Sequence, residues 1–123
     1  MSLCLEILDK EFAVCRLTEN SIPETVCDFL FYAKTDEEVS LVCPEENIPA
    51  SCLECEKGWR AMRVTGTLDF SLIGIISKIS EVLAENRIGI FVISTYNTDY
   101  ILVKKEQLDS AVNALGKNGY IFI

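Results

Sequence analysis

The sequence predicts an α+β fold in which antiparallel sheets carry helices on one face. Three observations support this prediction. Runs of β-branched and aromatic residues recur along the 123-residue chain, as in strands. Two later segments instead carry apolar residues at intervals of three and four, which is typical of helices. A pattern of strand, polar tip and strand occurs twice, at 31–45 and again at 92–106.

The C-terminal half predicts its elements most clearly. Ser71 is a plausible N-cap for the first helix, because its hydroxyl can accept a hydrogen bond from a free backbone N–H. In order, the predicted elements are a strand at 61–68, a helix at 71–86, strands at 89–95 and 100–103, a helix at 106–119 and a strand at 120–123. This β-α-β-β-α-β order is typical of the ferredoxin-like arrangement, an antiparallel sheet with both helices on one face.

The N-terminal half is less regular. It predicts strands at 3–8 and 12–17 joined by a turn at Asp9 and Lys10, then a hairpin of strands 29–34 and 38–43 around the tip "TDEE". Pro23 leaves room for only a short helix between these pairs, because proline interrupts a helical hydrogen-bond ladder. The segment 44–59 is predicted to connect the two halves of the chain and to contain at most one helical turn.

The two halves align at an offset of 61 residues, which places Glu38 on Asp99 and Lys34 on Thr95. We therefore interpret the chain as two related units. Residues 1–58 are predicted to form a degenerate unit that has lost much of its helix, and residues 59–123 a complete one.

Composition excludes several classes of protein. The net charge is −8 and the eleven basic residues are scattered, so nucleic acid and anionic membranes are not expected partners. No apolar run reaches the roughly 18 residues of a membrane-spanning helix. The first residues lack a basic start, and the six cysteines lie mostly in apolar runs, which favours reduced thiols in the cytoplasm.

Metal, redox and catalytic functions find little support in the residues. Cys52 and Cys55 form a single C-x-x-C motif, but a zinc site usually needs four ligands and the chain has no histidine. Glutamates crowd this motif, whereas a reactive thiol needs a positive setting. No nucleophile with a base, no phosphate loop and no dinucleotide motif is present. We therefore expect no enzyme activity, no metal and no cofactor.

Three segments carry a resemblance to a known family: "DFSLIG" (69–74), "ISTYNTDYILV" (93–103) and "TDEEVSLVCPE" (35–45). With them the sequence resembles the ACT domain, an amino-acid-binding regulatory module. The resemblance covers residues 61–123 well and 1–60 loosely. It is nearest to small paired-ACT proteins related to cytosolic amino-acid sensors and to aspartokinase regulatory domains.

The resemblance implies a ligand site made by the helix start and the second hairpin tip. Backbone groups of Leu72, Ile73 and Gly74 would take a carboxylate, since free N–H groups at a helix N-terminus suit an anion. Asp69 or Asp99 would take a positive group. The remaining lining residues would be Thr95, Tyr96 and Thr98. The alternative is structural: Asp69 caps the helix, Gly74 packs on the sheet, and an exposed tip is polar because it is wet.

The predicted function is thus that of a non-catalytic amino-acid sensor or regulatory protein, with homodimers as the expected assembly. Arginine sensors of this family carry acidic residues near the first turn of the helix, whereas "SLIG" is apolar here. This difference favours a smaller or apolar amino acid, or a similar zwitterion, as the ligand. The alternative is a ligand-free interaction or dimerisation module. Trp59 and Tyr32 are candidate anchors for such a surface, and core residues otherwise.

Overall fold

The computed structural model describes residues 3–23, 26–65 and 74–123. It confirms the α+β class. The strands are β1 (Cys4–Leu17), β2 (Phe31–Lys34), β3 (Val39–Pro44), β4 (Cys52–Thr65), β5 (Phe91–Ser94), β6 (Asp99–Lys104) and β7 (Ile121–Phe122); the helices are α1 (Ile75–Glu85) and α2 (Leu108–Lys117). A 3-10 turn follows β3 at Glu45–Asn47, and another follows β6 at Lys105–Gln107.

The chain forms two compact units. Unit 1 comprises Met1–Asp9 and Arg60–Ile123, and unit 2 comprises Lys10–Trp59. Strands β1 and β4 therefore each supply residues to both units. The division into segments 1–58 and 59–123 stays a prediction about the domain boundary, and the first residues of β1 lie with the later segment.

The sheet of unit 1 has the strand order β7-β1-β4-β6-β5. Strand β6 is antiparallel to β5, with Ser94 opposite Asp99, and β7 is parallel to β1, with Cys4 opposite Ile121. The elements β4-α1-β5-β6-α2-β7 follow the predicted β-α-β-β-α-β order. The start of β1 is an additional strand, inserted between β7 and β4, which sequence order alone does not indicate.

Both helices of unit 1 pack on the same face of this sheet. Ile79 and Leu83 of α1 and Leu115 of α2 are fully buried against alternating strand residues such as Met62 and Val64. The rest of this core consists of Leu5, Ile88, Ile101, Val103 and Ala111. Burying a large aliphatic side chain contributes roughly 1.5–3 kcal/mol, so this face stabilises the unit.

Unit 2 is built from strands β2-β3-β1-β4 without an α-helix in its described residues, 10–23 and 26–59. Strand β3 is antiparallel to both neighbours, with Leu41 opposite Cys15 on one side and Tyr32 on the other. Its core consists of Ala13, Cys15, Leu17, Val39, Leu41 and Cys43. Leu30 and Ile48 from the connecting segments, with Cys52 from the start of β4, pack against this core in place of helices.

Two sequence predictions about the long strands were wrong. No turn occurs at Asp9 and Lys10, because β1 continues through both residues, which are exposed. The connection predicted at 44–59 instead contains the first part of β4, which begins at Cys52. Residues 53–57 of this strand are all exposed, and only Leu53 and Cys55 among them are apolar, so the strand signal in the sequence is too short to read there.

Candidate functional site

Hydrogen bonds of Thr95 stabilise the tip of the second hairpin, between β5 and β6. The Thr95 N–H and hydroxyl both donate to the Thr98 carbonyl oxygen, at 2.8 and 2.9 Å. In return, the Thr98 N–H lies 3.4 Å from Thr95 Oγ1. The Thr95 hydroxyl therefore closes the turn, which explains part of the polarity of "STYNTD" without any ligand.

The Thr98 side chain joins this tip to the end of β4. Its hydroxyl donates to the Val64 carbonyl oxygen at 2.6 Å. Val64 is the penultimate residue of β4, after which the chain enters residues 66–73 on its way to α1. The hairpin tip and the end of β4 consequently lie at the same edge of the unit 1 sheet.

Gly74 is the N-cap of α1, which begins at Ile75 rather than near Ser71. The reason is conformational: Gly74 has φ +81°, a left-handed value that glycine adopts freely and that does not occur inside a helix. No described atom lies within 4 Å of the position that a Cβ would take. Within the described residues, backbone conformation and not packing therefore requires glycine here.

The other predicted site residues that precede α1 lie outside the described residues. These are Asp69, Leu72 and Ile73, together with Ser71, which was predicted as the N-cap. Their part in the site stays a prediction.

Asp99 and Tyr96 differ in how they present their side chains. Asp99 is partly buried at the start of β6, and no described basic side chain forms an ion pair with it. Tyr96 is 86% exposed at the tip. The part of unit 1 that the structure describes therefore does not enclose a ligand at Tyr96.

Arg63 is a charged residue of this sheet that sequence reasoning missed. Its guanidinium donates to Glu6 Oε1 from Nη2 at 2.7 Å and from Nε at 3.2 Å, and it lies 5.9 Å from the ring centroid of Tyr100. Hydrogen bonding to Glu6, followed by the interaction with Tyr100, raises the pKa of Arg63. Arg63 and its two partners lie on three different strands, β4, β1 and β6, so this cluster could be recognised only from the strand order.

The first hairpin repeats the second at an offset of 60 residues, so the predicted offset of 61 was wrong. Phe31–Lys34 matches Phe91–Ser94, and each second strand starts eight residues after the first. The same turn is present, with Thr35 N–H donating to the Glu38 carbonyl at 2.9 Å. A shift of one residue exchanges the two faces of a strand. Asp99 therefore corresponds to Val39 and Thr95 to Thr35.

All six cysteines are free thiols. Burial raises the pKa of Cys43 to about 11 and also raises the pKa of Cys15. Protonated thiols are poor nucleophiles and poor metal ligands. Within the ranges that the structure covers, no group of three or more His, Cys, Asp or Glu side chains could hold a metal ion. None of the helices in those ranges is long and apolar enough to cross a membrane.

The fold and the paired hairpins define a ferredoxin-like α+β protein with two related units. A family model for the ACT domain matches residues 54–117, more than half of the chain. The chain therefore belongs to the ACT domain family. A second family model, for an N-terminal domain, matches residues 10–51.

Among curated relatives, the chain is similar to subunit 1 of the cytosolic arginine sensor for mTORC1. Identity with the rat protein is 28% over 105 residues, covering 78% of this chain and 32% of the relative. The bovine protein is 26% identical over 106 residues with the same coverage. The chain thus spans about a third of the length of these relatives.

Solved structures give the same fold. A protein from Agobacterium tumefaciens is 29% identical with a TM-score of 0.90, covering 100% of this chain and 93% of that one. Aspartate kinase from Synechocystis has a TM-score of 0.72 at 15% identity, covering 97% of this chain and 27% of the kinase. The regulatory subunit of Thermus thermophilus aspartate kinase has 0.61 at 10% identity, covering 92% and 95%.

Proposed function

We propose that this protein is a non-catalytic regulatory protein that binds a free amino acid at the edge of the unit 1 sheet. Membership of the ACT domain family supports a regulatory, amino-acid-binding role. The names of similar proteins point the same way, since one is an arginine sensor and another a regulatory subunit.

The hydrogen bond from Thr98 to Val64, at 2.6 Å, carries the proposal. It brings the tip containing Tyr96 and Asp99 to the edge where the chain leaves β4 toward Gly74. A hairpin at the opposite edge would have separated the two predicted parts of the site by the length of a strand.

A zwitterion suits the groups at this edge. Its carboxylate would accept hydrogen bonds from backbone N–H groups of Leu72 to Gly74, at the start of the 11-residue helix α1. Its ammonium group would bind Asp69 or Asp99. Micromolar to millimolar binding corresponds to roughly 4–8 kcal/mol, and two or three charge-assisted hydrogen bonds of about 1.5–3 kcal/mol each are sufficient. The site requires neither a metal nor a cofactor.

The apolar residues Leu72 and Ile73 favour a small or apolar side chain on the ligand. Because Tyr96 is 86% exposed, we propose that a second copy of the chain covers it, so that the site is completed in a homodimer. We also place the protein in the cytoplasm, where the six free thiols would stay reduced.

A thermal-shift screen of the twenty amino acids tests the proposal, because a ligand that binds only the folded state raises Tm. At least one small or apolar amino acid should raise Tm in a concentration-dependent manner. Isothermal titration with that ligand should then show weaker binding for D99N than for D9N. The second variant removes the same charge from an exposed position of β1.

The interaction-module alternative makes a different prediction. If no amino acid changes Tm while light scattering shows a stable dimer, the ligand proposal is wrong and the exposed tip is an assembly surface. Equal binding by D99N and D9N would retain the ligand but remove Asp99 from the site.

A further inference from the structure

Four cysteines form a thiol cluster on the sheet of unit 2: Cys15, Cys43, Cys52 and Cys55. Cys15 and Cys43 belong to the hydrophobic core of this unit, and Cys52 packs against that core from the start of β4. Cys52 is partly exposed and Cys55 is exposed. The fold therefore places the buried thiol of Cys15 beside a C-x-x-C motif that lies far from it in the sequence.

Hydrogen bonds hold the sulfur atoms of Cys15 and Cys52 together. The Cys15 thiol donates to Cys52 Sγ. The Cys52 thiol in turn donates to the Glu54 carbonyl oxygen at 3.3 Å. Their strands, β1 and β4, are hydrogen-bonded neighbours, and the Thr18 N–H donates to the Ser51 carbonyl oxygen at 3.0 Å just beyond the strand ends. The backbone thus keeps the two thiols in contact from neighbouring strands.

The other thiol pairs of the cluster are less suited to forming a disulfide. Cys15 and Cys43 are 3% and 0% exposed, so a soluble oxidant reaches neither of them first. Cys52 and Cys55 are in contact, but both lie on β4, where three residues of extended chain span roughly 10 Å. A disulfide accepts a Cα separation of only about 4.4–6.8 Å, so this pair could close only by distorting the strand.

We propose that Cys15 and Cys52 form a reversible disulfide by exchange with a low-molecular-weight disulfide. The partly exposed Cys52 thiolate attacks one sulfur of the soluble disulfide, displaces one thiolate and becomes a mixed disulfide. Cys15, after losing its proton to solvent, attacks Cys52 Sγ and displaces the second thiolate. The two protein thiols are thereby oxidised by two electrons. The soluble disulfide is reduced to two thiols, which take up the two protons that the protein released.

Burial affects the rate of this exchange and the stability of its product differently. Burial raises the pKa of Cys15 and of Cys52, so little thiolate is available at neutral pH and the exchange is slow. The disulfide is uncharged and is not disfavoured in this way, and its burial hinders attack by soluble thiols. Once formed, it joins β1 to β4 and restricts the unfolded chain, which stabilises unit 2. The inference does not depend on the proposed function, since the whole cluster belongs to unit 2.

Peptide mapping of the oxidised full chain tests the proposal. The protein is incubated with oxidised glutathione at mildly alkaline pH, its remaining thiols are blocked with N-ethylmaleimide, and it is cleaved after Glu, Lys and Arg. This cleavage separates the four cysteines, with Cys15 on residues 12–16 (FAVCR) and Cys52 on residues 47–54 (NIPASCLE). Mass spectrometry should find these two peptides linked, and dithiothreitol should release them. The oxidised protein should also show a Tm higher by at least about 5 °C.

Matched cysteine variants identify the two partners. Cys55→Ser removes the exposed neighbour on the same strand, and it should leave both the linked peptides and the rise in Tm unchanged. Cys52→Ser should abolish both. Cys15→Ala should stop the reaction at the mixed disulfide, with one glutathione attached to Cys52. Circular dichroism of the reduced variants checks that each retains the fold.

Three results would contradict the proposal. One is a main product in which Cys52 is linked to Cys55, or Cys15 to Cys43. Another is glutathione attached to the exposed thiols without any internal disulfide, even with oxidised glutathione in large excess. The last is loss of the linked peptides in Cys55→Ser, which would make Cys55 a required partner.

Discussion

The two hairpins of this protein have the same backbone and different surroundings. Each consists of a four-residue strand, a turn closed by a threonine, and a six-residue strand followed by a 3-10 turn. The second hairpin belongs to a sheet covered by two helices, and the first belongs to a sheet whose described cover is loop side chains. The turn geometry is thus local, because Thr35 and Thr95 create it in both settings.

The difference between the hairpins lies in their tip side chains. The first tip has Asp36, Glu37 and Glu38, and the second has Tyr96, Asn97 and Thr98. Since the turn depends on the first threonine and the backbone, the following three positions are free to differ. The same backbone therefore carries an excess of negative charge in one unit and a nearly neutral surface in the other.

The largest expected loss of stability concerns the hydrophobic cores of the two units. Leu83→Ala in unit 1 and Leu41→Ala in unit 2 both truncate a buried leucine, 0% and 1% exposed. If the loop side chains pack as well as the helices, each variant should lose about 2–5 kcal/mol of unfolding free energy. Urea unfolding followed by circular dichroism measures both. A loss below about 1 kcal/mol for Leu41→Ala alone would show that the core of unit 2 is loosely packed.

A pH dependence should originate in unit 2. Burial raises the pKa of Cys43 from its ordinary value of 9.0 to about 11, so the unfolded chain loses this proton first. The corresponding stability is present below pH 9 and is lost as pH rises toward about 11, by up to roughly 1.4 kcal/mol per pH unit. Between pH 7 and 11 the unfolding free energy should decrease less in Cys43→Ala than in the unmodified chain, and the remaining decrease belongs to Cys15, whose pKa is also raised by burial. An identical slope in that variant would assign the effect to other groups.

Alanine substitutions at two glycines should change stability in opposite directions, one through backbone strain and the other through helix propensity. Gly74→Ala places a side chain at φ +81°, which should cost about 1–2 kcal/mol. Gly116→Ala lies inside α2 with no described atom within 4 Å of its Cβ, and should stabilise by about 0.5–1 kcal/mol. Thermal unfolding of both variants checks these signs. A neutral Gly74→Ala would mean that the start of α1 relaxes into another conformation.

The smallest effects concern the turn threonines. Thr35→Val and Thr95→Val each remove the hydroxyl that closes a turn, and each should lose about 0.5–1.5 kcal/mol. Thr98→Val should lose a similar amount by removing the 2.6 Å bond to Val64. Denaturant unfolding resolves such differences. A clearly larger loss for Thr95→Val than for Thr35→Val would contradict the equivalence of the two turns.

The candidate site of unit 1 could be predicted only in part. Residue types identified Thr95, Thr98 and Asp99 as a polar tip, and glycine at 74 indicated an unusual backbone. The hydrogen bonds that occupy the Thr95 and Thr98 hydroxyls could not be predicted, because their acceptor carbonyls belong to the folded turn and to β4.

The sequence by itself determined the helices, the two hairpins and the α+β class, because apolar periodicity and turn residues act over a few neighbouring positions. Only the tertiary structure decided the continuity of β1 through Asp9, the early start of β4 and the offset of 60 between the hairpins. Those features depend on hydrogen bonds between distant strands. A strand with exposed side chains leaves little local signal of its partners.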